Sequence, residues 1–275
     1  MTPRAKKTRF IAVTSGKGGV GKSTISSNLA LLLSLSGLKV AVFDADIGLA
    51  NLDVMFNVSA PRNILHVLKG EARLDEIVVP VRDNLLLIPG ESGEEIFRYA
   101  QPGMFERLMR DTVGLDDIDV MLIDTGAGIG EQTQRFLQSA DDVIVVTVPD
   151  PAAITDAYAT IKVTARRRKT IKMILNQVHS AKEARNIFAK IEQVAKLHIA
   201  PDLRLELLGE LTRDEKVAYA VKRRSSFVRD FPRSRPTKEL QIIAQNIMAE
   251  IDRSVRVNPN ESGIAGLFKR LMEQF

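Results

Sequence analysis

The chain has 275 residues, a hydrophobic content of 45% and a formal net charge of +5. This length suits one large α/β domain, although a prior of roughly 150 residues per domain would also permit two. Because the chain contains no cysteine, it can form neither disulfides nor thiolate-bound iron–sulfur clusters. The polar start MTPRAKKTR lacks the apolar core of a signal peptide, so we expect a cytoplasmic protein.

A glycine-rich loop follows the first apolar run, in the sequence FIAVTSGKGGVGKS at residues 10–23. It fits the pattern G-x-x-x-x-G-K-[ST], in which backbone N–H groups surround phosphate oxygens, the lysine reaches the β and γ phosphates and the hydroxyl joins the Mg²⁺ shell. A glycine-rich turn without a ligand is the alternative, but the order of strand, loop and helix disfavours it. We therefore predict phosphate binding by Gly16, Lys17, Gly18, Gly19, Val20, Gly21, Lys22, Ser23 and Thr24.

Short β-branched runs alternate with longer helical stretches, a pattern that predicts an α/β fold with a doubly wound, mainly parallel sheet flanked by helices. We predict one helix over residues 24–35, capped by Gly37, and another over residues 237–251. Residues 61–103 indicate an inserted helix, strand and connection. After the strand that precedes the loop, further strands are expected at residues 39–43, 85–88, 120–124, 143–148, 171–176 and 205–209.

A polar stretch, SVRVNPNES, follows the last of these helices. Its two asparagines and its proline are typical of a linker. We therefore predict a P-loop domain over residues 1–253, a linker over residues 254–262 and a separate C-terminal helix over residues 263–275.

Acidic residues close two of the predicted strands. Asp44 and Asp46 end the second strand in FDADIG, and Asp124 ends the apolar run VMLID. Ligands bind at the carboxyl ends of the strands in such sheets, so these carboxylates can reach the phosphate region. Asp124 has the Walker B arrangement and is expected to hold Mg²⁺ through water, and the glycine-containing loop at residues 125–130 can move when a γ-phosphate is present. Turn capping is the alternative for Asp44 or Asp46 alone.

The loop KGGVGKS, with its additional Lys17, resembles the deviant P-loop of the MinD/ParA family of ATPases. The resemblance covers nearly the whole chain and implies a MinD-like P-loop NTPase fold that binds ATP and Mg²⁺. In that family the additional lysine crosses a dimer interface and touches the partner's nucleotide, so Lys17 implies an ATP-dependent homodimer. From its spacing alone, Lys17 could also be a solvated lysine in a turn.

The resemblance also implies roles for individual polar residues. Asp46 would orient the attacking water, a positioning task that suits phosphoryl transfer, and Lys17 and Lys22 complete the catalytic set. Asn176 would hydrogen-bond adenine, although an asparagine at a strand end is more often a turn residue. The second base-binding segment reads GELTRDE, with Leu211 where relatives carry a proline. The expected Mg²⁺ environment comprises Ser23, Asp44 and Asp124.

The last residues, GIAGLFKRLMEQF, have a helical apolar face flanked by Lys269 and Arg270. At 1.5 Å per residue this helix spans on the order of 20 Å, too short to cross a bilayer. It resembles the membrane-targeting tail of MinD, and we expect it to lie on the inner face of the cytoplasmic membrane. Docking on its own domain is the alternative, and the two states could alternate with the bound nucleotide. The expected membrane contacts are Ile264, Leu267, Phe268, Leu271, Met272 and Phe275.

Two basic clusters lie at residues 166–169 and 222–224. Solvated helix ends are the favoured interpretation over a dedicated DNA or lipid patch. Aromatic residues form 5% of the chain and do not interleave with these clusters, so the sequence offers no stacking platform for nucleic acid. We therefore expect no specific DNA binding.

Several further segments resemble one branch of the family, the FlhG proteins, also called FleN or YlxH, which control flagellar number and placement. Gly126 stands where MinD proteins of cell division usually have a proline, and ParA proteins of chromosome partitioning usually lack the membrane tail. The segments that carry this resemblance are DADIGLANLD, DTGAGIG, PAAITDAYATIK, ARNIFAKI and FPRS.

This branch implies a weak, Mg²⁺-dependent ATP hydrolase that its dimer or a partner stimulates. The implied partners are an FlhF-type GTPase, flagellar switch-ring proteins and a flagellar transcription regulator. Some members stimulate FlhF through an N-terminal extension with a glutamine-bearing helix, whereas nine residues precede the first predicted strand here. A cell-division-site ATPase, a DNA- or cargo-partitioning ATPase and a P-loop enzyme that phosphorylates a small molecule are the alternative functions.

Overall fold

The computed structural model describes residues 8–46, 51–90, 117–253, 267, 270 and 271. The described strands are β1 (Arg9–Ser15), β2 (Val40–Ala45), β3 (Val79–Arg82), β4 (Leu85–Ile88), β5 (Val120–Ala127), β6 (Asp142–Thr147), β7 (Thr170–Val178) and β8 (Arg204–Thr212). They form one sheet in the order β3-β4-β2-β5-β1-β6-β7-β8. All neighbouring pairs are parallel except β3 and β4, which are antiparallel.

Helices cover both faces of this sheet. The described helices are α1 (Lys22–Leu35), α2 (Leu52–Phe56), α3 (Ile64–Leu68), α4 (Leu74–Ile77), α5 (Glu131–Ser139), α6 (Pro151–Thr164), α7 (Ala181–His198), α8 (Glu215–Lys222), α9 (Phe227–Asp230) and α10 (Arg235–Arg253). No helix within the described part of the chain combines the length and the apolarity needed to span a bilayer.

The core has two apolar layers because side chains alternate between the two faces of each buried strand. In β1, Phe10 and Ala12 belong to the first layer, whereas Ile11 and Val13 belong to the second. Helices α3 to α7 pack on the first layer, and α1, α2 and α8 to α10 pack on the second. This arrangement brings the carboxyl ends of β1, β2 and β5 together, where ligands bind in doubly wound sheets.

The predicted fold class is confirmed, and the bounds of the predicted elements differ from the observed ones by a few residues. Helix α1 begins at Lys22 instead of residue 24, and α10 is longer than the predicted 237–251 by two residues at each end. The antiparallel strand β3 was not predicted. Its sequence, VPVR, is short and contains Pro80, which a strand tolerates at the edge of a sheet but not in its centre.

A partly buried ion network connects α10 to the first residues of β1, β6 and β7. Asp142 accepts a hydrogen bond from Arg9 Nε at 2.7 Å and lies 3.1 Å from Lys172 Nζ. Lys172 also contacts Glu250 of α10. Burial alone would raise the pKa of Asp142, but the hydrogen bond from Arg9 and the charge of Lys172 together hold that pKa below its usual value. Asp142 is therefore ionised in the folded protein.

The described part of the C-terminal tail is docked on the domain. The Leu267 and Leu271 side chains are 0% and 3% exposed and belong to the first apolar layer. In this structure these two residues are therefore docked on their own domain, which was the alternative to membrane contact. The other predicted membrane contacts, at residues 264, 268, 272 and 275, and the predicted linker over residues 254–262, lie outside the described residues.

Arg270 adds polar contacts to this docking. Its guanidinium donates to the carbonyl oxygen of Ser139 at 3.1 Å and to Asp141 Oδ1 at 2.9 Å. The guanidinium carbon also lies 4.8 Å from the centroid of the Phe10 ring, within the range of a cation–π contact. Because Ser139 is the last residue of α5, the tail is fastened to the C-terminal end of that helix.

Candidate functional site

The glycine-rich loop connects β1 to α1, as its sequence predicted. Gly21 precedes the first residue of α1 with a φ of 90°, a left-handed conformation that glycine adopts without strain. No side chain caps this end of the helix, and its first turn contains no acidic residue. The N–H groups of the first turn are therefore available to an anion, as in other phosphate-binding loops.

The glycines of the loop divide into two that are tightly packed and two that are open. A Cβ added to Gly16 would lie 2.1 Å from the Asp156 backbone in α6, and one added to Gly21 would lie 2.4 Å from Asn176 Nδ2. A Cβ on Gly18 or Gly19 would meet nothing within 4 Å. The loop is thus fixed from outside by close packing and leaves free space where phosphates are expected.

Lys22 lies at the centre of a group of oxygen atoms. Its Nζ is 3.4 Å from Asp46 Oδ2, 3.2 Å from Asp124 Oδ2 and 3.3 Å from Ser23 Oγ. The lysine side chain is only 7% exposed. The carboxylates of Asp46 and Asp124 therefore neutralise this buried ammonium. A phosphate could take their place because it is also negatively charged.

Asp124 has one oxygen that accepts a hydrogen bond and one that, among the described residues, is paired only with the Lys22 ammonium. Its Oδ1 accepts a hydrogen bond from Ser26 Oγ at 2.8 Å, whereas the buried Oδ2 has no hydrogen-bond donor and faces Lys22. The described residues contain no group of three or more His, Cys, Asp or Glu side chains able to hold a metal by themselves. Such a site fits Mg²⁺, which keeps several waters and is bound mostly through phosphates and one or two protein oxygens.

Asp44 is engaged with the backbone of the segment that follows β2. Its Oδ2 accepts hydrogen bonds from the N–H groups of Asn51 and Leu52, both at 3.0 Å, and its Oδ1 accepts one from Asp46 N at 3.3 Å. Asp44 thus forms hydrogen bonds with Asp46, just after β2, and with the N-terminal end of α2. Its support of the Mg²⁺ and phosphate region stays a prediction.

Burial raises the pKa values of both aspartates. Loss of hydration raises the pKa of Asp44 to about 7, an effect opposed by the hydrogen bond from Leu52 and reinforced by the charge of Asp124. Burial also raises the pKa of Asp46, although the nearby Lys22 ammonium lowers it. Carboxylates with perturbed pKa values that meet in one crevice are typical of functional sites.

A cavity of about 430 Å³ opens beside the loop. Asn176 lies on its wall and donates from Nδ2 to the carbonyl oxygen of Val20 at 2.7 Å, so this side chain also fixes the loop. The segment predicted to bind the base contributes Leu211 and the residues that follow it to the same wall. The volume lies within the range of about 300–1,000 Å³ common for small-molecule sites.

Two contacts around the loop were not predicted from the sequence. Ser26, which orients Asp124, lies one helical turn after Ser23 and could have been noticed from that spacing. Asn28 is buried in α1, and its Oδ1 accepts hydrogen bonds from Ser226 Oγ at 2.7 Å and Val228 N at 3.2 Å. Asn28 thereby holds α9 against α1. A polar residue inside an apolar helix was the only sequence signal for it.

Lys17 lies apart from this buried group. Its Nζ is 3.6 Å from Asp150 Oδ1, and both side chains are 50% exposed. The pKa of Asp150 is below its usual value, first because the carboxylate accepts a hydrogen bond from the N–H of Ala153 and then because Lys17 is close. The structure therefore brings Lys22, Asp46, Asp124 and Ser23 together and leaves Lys17 at the surface.

Comparisons with known proteins agree with this geometry. A family model described as ParA, the NUBPL iron-transfer P-loop NTPase, matches residues 6–248. The chain is 44% identical to flagellum site-determining protein YlxH of Helicobacter pylori, over 97% of this chain and 90% of the relative. It is 35% identical to antiactivator FleN of Pseudomonas aeruginosa, over 87% of this chain and 86% of the relative.

The fold has counterparts among solved structures. A MinD chain in the MinC:MinD cell division complex of Aquifex aeolicus matches with a TM-score of 0.70 and 25% identity, over 91% of this chain and 98% of that chain. The iron-transfer description of the family model does not extend to cluster binding by thiolates here, because this chain has no cysteine. The chain belongs to the MinD/ParA family of P-loop ATPases, in the branch that contains YlxH and FleN.

Proposed function

We propose that the chain is an ATP-dependent dimerisation and membrane-binding switch that controls flagellar number and placement. The observation that carries this proposal is the position of α5, which follows the loop after β5 at one end and contacts the docked tail at the other. A change at the γ-phosphate can therefore reach the membrane anchor through a single helix of nine residues.

Both ends of α5 have defined contacts. The loop before it is held beside the end of β1 by a hydrogen bond from Gly128 N–H to the carbonyl oxygen of Ser15 at 2.8 Å. The carbonyl of Ser139, at its C-terminal end, accepts the hydrogen bond from Arg270 of the tail. Between these ends, α5 shares the first apolar layer with the tail through Phe136, Leu137, Leu267 and Leu271.

The site suggests how this chain's residues act on ATP. The γ-phosphate would replace Asp46 and Asp124 as the partner of Lys22, and the released Asp46 would orient a water in line with the bond to the leaving ADP. As that water forms its bond to phosphorus, the bond to the β-phosphate oxygen breaks, and ADP and phosphate result. Mg²⁺, held by Ser23 and through water by Asp124, would neutralise the charge that develops on the phosphate oxygens.

The surface around the loop supports dimerisation. Lys17 is half exposed and has a single weak contact with Asp150, so its side chain can move to a phosphate of a second subunit. Ile129, in the loop before α5, is 51% exposed and offers an apolar contact at the same end of the strands as Lys17. Because both residues lie in loops at the carboxyl ends of strands, ATP would bring two such surfaces together.

Release of the tail would follow from this change. In the docked state Leu267 and Leu271 are buried, so they cannot also contact lipid. Movement of α5 in the ATP-bound dimer would free them for the inner face of the cytoplasmic membrane. Two tails in one dimer bind a membrane more tightly than one because the second binds at a high effective concentration. Hydrolysis would restore the monomer with its docked tail.

The flagellar role rests on the similarity to the flagellum site-determining protein YlxH and the antiactivator FleN. The membrane-bound dimer would bind an FlhF-type GTPase, flagellar switch-ring proteins or a flagellar transcription regulator. Deletion of the gene should change the number or position of flagella on the cell. Restoration by the wild-type gene, but not by one encoding Lys22→Ala, would tie that phenotype to nucleotide binding.

Size-exclusion chromatography and vesicle sedimentation test the switch itself. Asp46→Ala should bind ATP without hydrolysing it, elute as a dimer and sediment with anionic vesicles. Lys17→Ala should bind ATP but remain monomeric, because the contact across the interface is lost. If Asp46→Ala carries bound ATP and still elutes as a monomer, the switch is refuted.

A further inference from the structure

We propose that Lys162, Arg166 and Arg167 form a second membrane contact, which binds anionic lipid headgroups beside the released tail. This inference rests on the proposed membrane-binding function and adds that the membrane must contain anionic lipid. The three residues, called the α6 basic patch below, lie at the C-terminal end of α6 and in the turn that follows it.

Among the described residues, two side chains of the basic cluster at residues 166–169 have polar partners and two have none. Arg168 is used internally: its guanidinium donates to the carbonyl oxygens of Leu137 at 2.9 Å and Asp141 at 3.0 Å, and also contacts that of Ala140. Lys169 Nζ lies 2.7 Å from an Asp202 carboxylate oxygen. These two cations already have partners and are not part of the α6 basic patch.

The α6 basic patch consists of the cations that remain. Lys162, Arg166 and Arg167 are all exposed. Within the described part of the chain, none of these side chains forms an ion pair or a hydrogen bond. Lys162 lies in the last turn of α6, and Arg166 and Arg167 lie in the turn that follows the helix. The three exposed charges are therefore close together at this end of α6.

The patch lies beside the docked tail. Arg168, the residue that follows the patch, and Arg270 of the tail both hold the C-terminal end of α5. Arg168 donates to the carbonyl oxygen of Asp141, while Arg270 donates to the carboxylate of the same residue. The turn that carries the patch therefore lies at the docking site of the tail. Helix α10, which precedes the tail, ends nearby, because its Glu250 contacts Lys172 beside Asp142. The released tail therefore starts close to the patch.

Acidic residues at this end of the sheet do not cancel the patch. Asp141 accepts a hydrogen bond from Phe10 N–H at 2.9 Å, and its charge acts on the Arg168 guanidinium. Both of these partners belong to the domain and stay in place when Arg270 leaves with the tail. Asp142 is neutralised by Arg9 and Lys172. A polar cavity of about 580 Å³, with Arg167 and both aspartates on its wall, lies next to the patch and leaves room for a phosphate headgroup.

Stable attachment to a membrane requires two weak binding interactions that act together. A short amphipathic helix binds reversibly, and a basic surface adds affinity for anionic lipid. One Lys or Arg near an anionic surface improves binding by about fivefold, so three should improve it on the order of 100-fold. Because no aromatic residue interleaves with the patch, a lipid surface fits it better than single-stranded nucleic acid.

The experiment compares full-length variants made in the Asp46→Ala background and loaded with ATP. The test variant carries Lys162→Ser, Arg166→Ser and Arg167→Ser. The matched control removes three exposed cations from the opposite layer, by Lys216→Ser, Arg233→Ser and Lys238→Ser. Thermal unfolding checks that both variants fold. Binding is measured by sedimentation with vesicles of phosphatidylcholine alone or with phosphatidylglycerol, and by gel shift of a DNA duplex.

We expect the test variant to bind phosphatidylglycerol vesicles on the order of 100-fold more weakly than the parent, and the control to bind like the parent. Removal of residues 263–275 should abolish binding, which keeps the two proposals distinguishable. If that removal has no effect, the proposed membrane switch fails. If it abolishes binding while test and control variants bind equally, only the α6 basic patch is refuted. Loss of DNA binding with unchanged vesicle binding also overturns the patch.

Discussion

Ser26→Ala is expected to impair Mg²⁺-dependent ATP hydrolysis while leaving ATP binding nearly unchanged. Ser26 Oγ donates to Asp124 Oδ1 at 2.8 Å, and both residues have an exposed fraction of 0%. A hydrogen bond to a charged group is worth about 1.5–3 kcal/mol. If Asp124 must be held in place to position the water of Mg²⁺ in the transition state, loss of this bond lowers kcat/KM by roughly 10- to 100-fold.

Ser27→Ala is the matched control. Ser27 is 4% exposed, lies next to Ser26 on α1, and donates from its Oγ to the carbonyl oxygen of Thr24 within the same helix. Phosphate release should be measured over a range of Mg²⁺ and ATP concentrations, together with the unfolding midpoint of each variant. Wild-type activity of Ser26→Ala at limiting Mg²⁺ refutes the role given to Asp124. Equal losses in both variants assign the effect to the stability of α1.

Three other changes follow from the packing and the charges. Gly16→Ala should abolish ATP binding measured by calorimetry, because its Cβ would lie 2.1 Å from the backbone of α6, whereas Gly18→Ala, where a Cβ meets nothing within 4 Å, should bind normally. Asp142→Asn should lower the free energy of unfolding in urea by about 1.5–3 kcal/mol, because it removes the charged hydrogen-bond acceptor of Arg9 and one of the two carboxylates that contact the buried Lys172. Since the folded pKa of Asp142 lies below its usual value, its stabilisation is present above the unfolded-state pKa of about 4 and is lost as pH falls through the folded pKa. Urea unfolding should therefore show declining stability below about pH 4 in the wild type, and a weaker decline in Asp142→Asn. Asn176→Ala should weaken ATP binding, because it removes the hydrogen bond that fixes the loop at Val20.

The parts of the fold that could be predicted from sequence depend on neighbouring residues. Continuous apolar runs predict strands that are buried on both faces, and the described strands at those runs are almost wholly buried. The phosphate loop was also predictable, because four glycines and a Lys-Ser pair within eight residues have few other uses. Strand β3 escaped prediction since a half-exposed edge strand of four residues carries little pattern.

The contacts that complete the site could not be predicted because they join distant positions. Ser26 and Asp124 are 98 residues apart, and Asn28 and Ser226 are 198 residues apart. Local spacing contains no information about which polar side chains meet after folding. The backbone contacts of Asp44 are closer in sequence, but an aspartate at a strand end offers the same pattern whether it binds metal, phosphate or an N–H group.

The tail shows a different limit of sequence reasoning. An apolar stripe at helical spacing is equally suited to a lipid surface and to the apolar layer of its own domain. The structure has Leu267 and Leu271 in the core, and the hydrogen bonds of Arg270 with Ser139 and Asp141 fasten the tail at the end of α5. The central claim is that ATP moves the tail from this site to the membrane.

That claim can be measured with one fluorophore, because the chain contains no cysteine to compete for labelling. Met272→Cys in the Asp46→Ala background would carry an environment-sensitive dye at a predicted membrane contact. With anionic vesicles that contain a lipid-borne quencher, we predict strong quenching with ATP and little with ADP. Equal quenching with both nucleotides, or none with either, contradicts an ATP-controlled release of the tail.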